Sequence, residues 1–128
     1  MTTDKFTLDV HPGTFAVCRL DADAAVPDWA SGTLTSITRT PDELSIVCLQ
    51  EGVPENTRSE PGWRCLRVVG PLEFSMVGVI ASLTGILATA NIGVFVVSTF
   101  DTDLVLVKQT DLEPAIASLR VAGHVVRT

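Results

Sequence analysis

Few side chains in this sequence have types and spacings that could do chemistry. His11, in the run His-Pro-Gly, is a candidate general base, but no acidic or nucleophilic residue shares its motif. A lone histidine beside turn residues is more often a polar turn position than a catalyst. Cys18, Cys48 and Cys65 form an odd set without CxxC or Cys/His ligand spacing, each among strand-forming residues, and read as buried, reduced thiols. No Ser/His/Asp or Cys/His set, metal-spaced cluster or glycine-rich phosphate loop is visible. A catalytic reading needs at least a positioned base and its partner, so no enzyme activity, cofactor or metal is expected. Binding chemistry remains. Asp101 and Asp103 lie at a turn in Ser-Thr-Phe-Asp-Thr-Asp, where a carboxylate either receives a cation or only shapes an exposed turn.

The stretch Phe74–Val107 must position those carboxylates. Met76, Val79, Ile80, Leu83, Ile86, Leu87 and Ala90 fall at helical spacing and make one apolar stripe, which predicts a helix over 75–90. Gly78, Ala81, Ser82, Gly85 and Thr89 form a small, uncharged opposite face, and Asn91 and Gly93 supply the stop. Strands over 93–99 and 103–108 then flank the Asp101–Thr102 turn. The run 74–100 carries no charge, which raises a membrane-spanning alternative. The absence of a basic anchor and an aromatic belt, and the interruption at Asn91-Ile92-Gly93, weigh against it.

Ahead of this stretch, Phe6, Leu8 and Val10 alternate as a half-buried strand, and His11-Pro12-Gly13 reads as a turn into a second strand over 14–20. Strands over 34–40 and 44–49 flank Thr40-x-x-Glu43, whose capping-box spacing predicts a single helical turn with room for an Arg39–Glu43 pair. Trp29 is placed to cover a sheet. Residues 50–62 are polar and rich in proline and glycine, the best candidate linker. A strand over 63–70 precedes the central helix. After the hairpin, Thr110-x-x-Glu113 offers a second capping box for a helix over 111–122, which Gly123 closes ahead of an edge strand over 124–127.

The second half therefore reads βαββαβ, the split unit of a ferredoxin-like α+β fold with helices on one face of an antiparallel sheet. The first half is a strand-rich, reduced relative. Two halves, 1–60 and 61–128, are expected. A formal charge of −6 argues against nucleic acid and anionic membrane as partners, because phosphate neutralisation needs clustered Lys and Arg. The first residues carry no apolar signal segment, which gives a cytoplasmic expectation.

The runs HPGTFAVCRL, TSITRTPDELSIVC, PLEFSMVGVIASL and STFDTDLVLV together resemble small bacterial proteins made of two ACT-type domains, similar in turn to the ACT domains of the cytosolic arginine sensors of animals. The resemblance implies a regulatory module that binds an amino acid at the strand-to-helix loop and neighbouring strand ends, as a homodimer. It puts the ligand on Ser75, Met76, Gly78, Val79, Thr99, Phe100 and Asp103. Gly78 matches the family's helix-start glycine, and Thr99, Phe100 and Asp103 match hairpin positions that line the sensors' arginine pocket. A helix N-terminus suits the ligand carboxylate, Gly78 permits close approach, and Asp103, or Asp101, suits its ammonium. Ala81 stands where those sensors place a glutamate for the guanidinium, so a neutral or apolar amino acid is at least as well accommodated. An interaction module of the same fold that binds no ligand is the alternative.

Overall fold

The computed structural model describes residues 4–73 and 77–128. Its elements are β1 (Thr7–Leu20), β2 (Ser36–Arg39), β3 (Leu44–Leu49), β4 (Ser59–Val68), α1 (Val79–Thr89), β5 (Val94–Ser98), β6 (Asp103–Lys108), α2 (Leu112–Val121) and β7 (Val125–Arg127). They form two compact units. The first comprises the chain through Pro12 together with Arg64–Thr128, and the second Gly13–Trp63, so β1 and β4 each contribute to both.

The first unit has the expected α+β, ferredoxin-type architecture. Its strands lie in the order β7-β1-β4-β6-β5. β1 pairs parallel with β7, from Thr7↔Val125 to Asp9↔Arg127, and β5 pairs antiparallel with β6. β1 therefore lies between the first and last strands of the βαββαβ unit, a position that alternation within single segments does not reveal. Alternate residues of the strands (Leu8, Leu66, Val68, Val105, Val107) form one core with Val79, Leu83 and Leu87 of α1 and Leu112, Ala115, Ile116 and Leu119 of α2. Each fully buried aliphatic side chain here contributes about 1.5–3 kcal/mol relative to exposure.

Both helices end in the same way. After α1, Asn91 adopts φ 61°, and the amides of Asn91 and Ile92 donate to Ala88 and Leu87. After α2, Gly123 has φ 100°, and the amides of Gly123 and His124 donate to Arg120 and Leu119. These bonds satisfy the carbonyls of the last turn. The stop expected at Asn91 and the closure at Gly123 are both present.

The second unit holds β2, β3 and the second half of β1. β1 pairs antiparallel with β3 from Phe15↔Leu49 to Leu20↔Leu44, and β2 pairs antiparallel with β3. Ala16, Cys18, Leu44, Ile46 and Cys48 form its core, against which Trp29 packs. The cysteines are free and buried, and burial pushes the thiols of Cys18 and Cys65 up to about 11 and about 12.

Several local expectations are corrected. His11-Pro12-Gly13 is not a turn, because β1 runs unbroken through it. Pro12 and Gly13 are exposed, and Gly13 takes φ 104° within the strand, a conformation that a Cβ disfavours. A side chain there would also meet Leu49 at 2.8 Å. Thr40-x-x-Glu43 makes a β2–β3 hairpin turn instead of a helical one. Thr40 Oγ1 accepts from the amides of Asp42 and Glu43 as a cap would, but the Thr40 amide bonds Glu43 O across the strands. Arg39 donates to the carbonyls of Ala22 and Ala24, so its expected Glu43 pairing is replaced by these bonds. The 50–62 stretch contains a short 3-10 turn at Gln50–Gly52 and the start of β4. α2 is capped at Asp111 without a side-chain bond, so Thr110 and Glu113 make no capping box. No helix among the described residues is long and apolar enough to cross a membrane.

Candidate functional site

The start of α1 is built around Gly78. Its φ of 82° is left-handed, which a Cβ would disfavour, and it turns the chain into the helix with no side-chain cap. The amide of Ser82 bonds back to Gly78 O at 2.8 Å. The amides of Val79, Ile80 and Ala81 precede that first bond and have no partner within the helix. No acidic residue occupies the first turn. The partial positive charge of the helix end suits an incoming anion.

The β5–β6 turn faces it. The Thr99 amide donates to Thr102 O at 2.8 Å, and the Thr102 amide to Thr99 Oγ1 at 3.2 Å, closing a compact loop after the last paired residues, Ser98↔Asp103. Thr102 is 8 % exposed and donates through Oγ1 to Val68 O at 2.6 Å, pinning the loop to β4. The Leu72 amide donates to Asp101 O at 2.6 Å, which ties the chain after β4 to the same loop. This approach requires glycine at 70, since a Cβ there would lie 2.9 Å from Asp101 O. Ser98 Oγ donates to Asp103 Oδ1 at 2.6 Å and orients a half-buried carboxylate whose second oxygen this bond leaves unused.

Between these elements lies a cleft of about 370 Å³, within the size range of small-molecule sites. Gly78, Val79, Thr99, Phe100 and Asp103 all line it, and so do Asp101 and Ala81. Ser75 and Met76 lie outside the described residues. Reading the sequence missed Leu72, Ile80 and Thr102, which also line the cleft. The Gly-Pro dipeptide signals a turn near Leu72, but only the fold shows that this turn meets Asp101. Thr102 looks like a turn residue, and its buried bond to Val68 has no sequence signal.

Three carboxylates, Glu73, Asp101 and Asp103, line the cleft, and none of its described lining residues is cationic. Glu73 and Asp101 are exposed, so solvent and salt screen them, whereas Asp103 is half-buried and acts more strongly. The arrangement offers backbone donors at one side and a fixed acceptor at the other. Val77, beside Gly78, and Phe100 are 86 % and 80 % exposed and add an apolar fringe.

His11 lies apart from this cleft, beside Asp9, Arg67 and Arg127. Asp9 binds both arginines, and the Arg127 hydrogen bond chiefly holds its carboxyl below the usual range. Burial, then repulsion from Arg67, lowers the His11 pKa. Among the described residues no group of three His, Cys, Asp or Glu side chains could hold a metal ion.

A family model described as the ACT domain matches residues 58–121, half of the chain. The chain belongs to the ACT-domain family. Domains of this family are typically regulatory and ligand-binding. A second family model, described as an N-terminal domain, matches residues 13–56. No curated protein matches. Among solved structures, a protein from Agrobacterium tumefaciens is similar at 44 % identity and a TM-score of 0.90, covering 96 % of this chain and 92 % of that one. The regulatory subunit of aspartate kinase from Thermus thermophilus has the same fold at 11 % identity and a TM-score of 0.61, covering 91 % of this chain and 97 % of that subunit. Aspartate kinase from Clostridium acetobutylicum, described as an allosteric enzyme, matches over 87 % of this ACT-domain chain and 33 % of its own length, at 15 % identity and a TM-score of 0.63.

Proposed function

We propose that this ACT-domain protein is an amino-acid-binding regulatory module with no catalysis of its own, and that the cleft between the start of α1 and the β5–β6 turn holds the ligand. The observation that carries the reading is the convergence of the first turn of α1 and the Asp103 carboxylate on one cleft. A zwitterion needs both: amides and the helix dipole for its carboxylate, a charged acceptor for its ammonium. Gly78, Val79, Thr99, Phe100 and Asp103 are the binding residues of this reading, with Ser75 and Met76 assigned by resemblance alone. Ala81 contributes no charge, which favours an amino acid with a neutral or apolar side chain over arginine.

The same proposal takes residues 1–60 as a reduced ACT-like half beside the complete domain at 61–128, places the protein in the cytoplasm, and makes it a homodimer. The support for dimerisation is the edge strand β5, whose residues from Val94 to Val97 are all half-buried. Light scattering that returned a single-chain mass across a wide concentration range would remove the dimer.

A thermal-shift screen against the twenty amino acids, repeated on Asp103→Ala, tests the function. A ligand at about one hundred times its Kd that binds only the folded state adds about 2.7 kcal/mol. The expected result is stabilisation by one amino acid, or a few of similar side chain, that Asp103→Ala abolishes. No shift with any amino acid would favour the second reading, an interaction module, for which exposed Val77 and Phe100 speak.

A further inference from the structure

A second cleft, of about 450 Å³, lies along the outer face of α1, lined by Ser82, Gly85 and Thr89 together with Lys5 and His124. The His124 imidazole is 4 % exposed and stacks on Phe6, with ring centroids 5.7 Å apart. The Phe6 amide donates to its Nδ1 at 3.0 Å. An imidazole that accepts at Nδ1 and is neutral carries its proton on Nε2. Burial first, and Lys5 second, lower its pKa and so maintain the neutral ring. The Nε2–H is then a fixed donor on a buried side chain that lines the cleft, and among the described residues no group accepts from it.

Lys5 supplies the charge. Its Nζ donates to Ala122 O at 2.9 Å, which leaves two N–H groups of the ammonium, and its stem lies so close to Gly123 that a Cβ there would meet Lys5 Cε at 3.0 Å. The head of the side chain is thus bonded to the end of α2, and its stem runs past Gly123. Among the described residues that line this cleft there is no Asp or Glu. Gly85 keeps it open, since a Cβ at that position would meet nothing within 4 Å.

We infer that this cleft binds a small carboxylate, one oxygen accepting from His124 Nε2–H and the charge met by the Lys5 ammonium. The inference is independent of the amino-acid reading, because it uses different residues apart from Ala81, which borders both clefts.

The test follows the imidazole 15N and backbone amide signals of the full chain during titration with sodium acetate, with acetamide as the neutral isostere and ionic strength held constant with sodium chloride. A saturable shift of His124 Nε2 is expected with acetate. Acetamide and the Lys5→Met variant should each bind about tenfold more weakly, or worse, since each removes one charged partner of the pair. Gly85→Leu fills open space on an exposed helix face, so the amide spectrum should otherwise persist while the acetate response disappears. An equal response to acetamide, a response that survives Gly85→Leu, or no saturable shift at all would overturn the site. None of these outcomes bears on Asp103, so failure here is distinguishable from failure of the amino-acid site.

Discussion

At its N-terminal end α1 meets the β5–β6 turn, and farther along its outer face it meets Lys5 and His124. The first cleft combines helix amides with acidic side chains. The second presents an ammonium and an imidazole N–H with no acidic side chain among its described lining residues. One helix without a single charged residue thus borders two clefts of opposite lining, and the charged side chains of both come from what the fold brings up against it. Mixed donors and acceptors select a zwitterion, whereas donors alone select an anion.

Both clefts depend on α1 staying seated on the core. Leu83 is fully buried on the core side of α1. Leu83→Ala should cost about 2–5 kcal/mol in urea unfolding and weaken both clefts together. Asp103→Ala separates them. It should reduce amino-acid affinity about 10- to 100-fold, the range for a charged hydrogen bond, and leave the acetate response unchanged. Gly78→Ala places a Cβ at φ 82° and should cost about 1–2 kcal/mol of stability while impairing the first cleft alone. At the second cleft, Gly85→Ala should raise stability by about 0.5–1 kcal/mol, because it replaces glycine inside a helix where the new methyl has room.

The smallest effect is that of pH. His124 and His11 both have folded pKa values below the ordinary 6.5. Below that value the unfolded chain takes up protons that the native state does not, so stability is full above about pH 6.5 and falls as pH drops toward the folded values. Urea midpoints should be lower at pH 5.5 than at pH 7.5. Imidazole NMR titrations should assign the loss, with His124 still neutral at pH values where an exposed histidine has begun to charge.

What was legible in the sequence follows from what is local. The stripe from Val79 to Leu87, the Asn91 stop and strand β6 all carry their cause within a few neighbouring residues. The ACT-type fold and the first cleft follow from these elements together with the resemblance. Local pattern failed where a distant partner decides. Pro12 and Gly13 look like a turn, but β1 continues through them. Thr40 and Glu43 have capping-box spacing, but the cross-strand bond of a hairpin uses the same groups. His124 was read only as part of an edge strand. Its orientation depends on Phe6, 118 residues away, which no spacing rule connects.

In the proposed function the first cleft reads both ends of an amino acid. Isothermal titration of the amino acid that stabilises the protein, beside its methyl ester and its deaminated acid, tests this most directly. Both derivatives should bind at least about tenfold more weakly, the ester for want of a carboxylate at the start of α1 and the acid for want of an ammonium at Asp103. Undiminished binding of either derivative would contradict it.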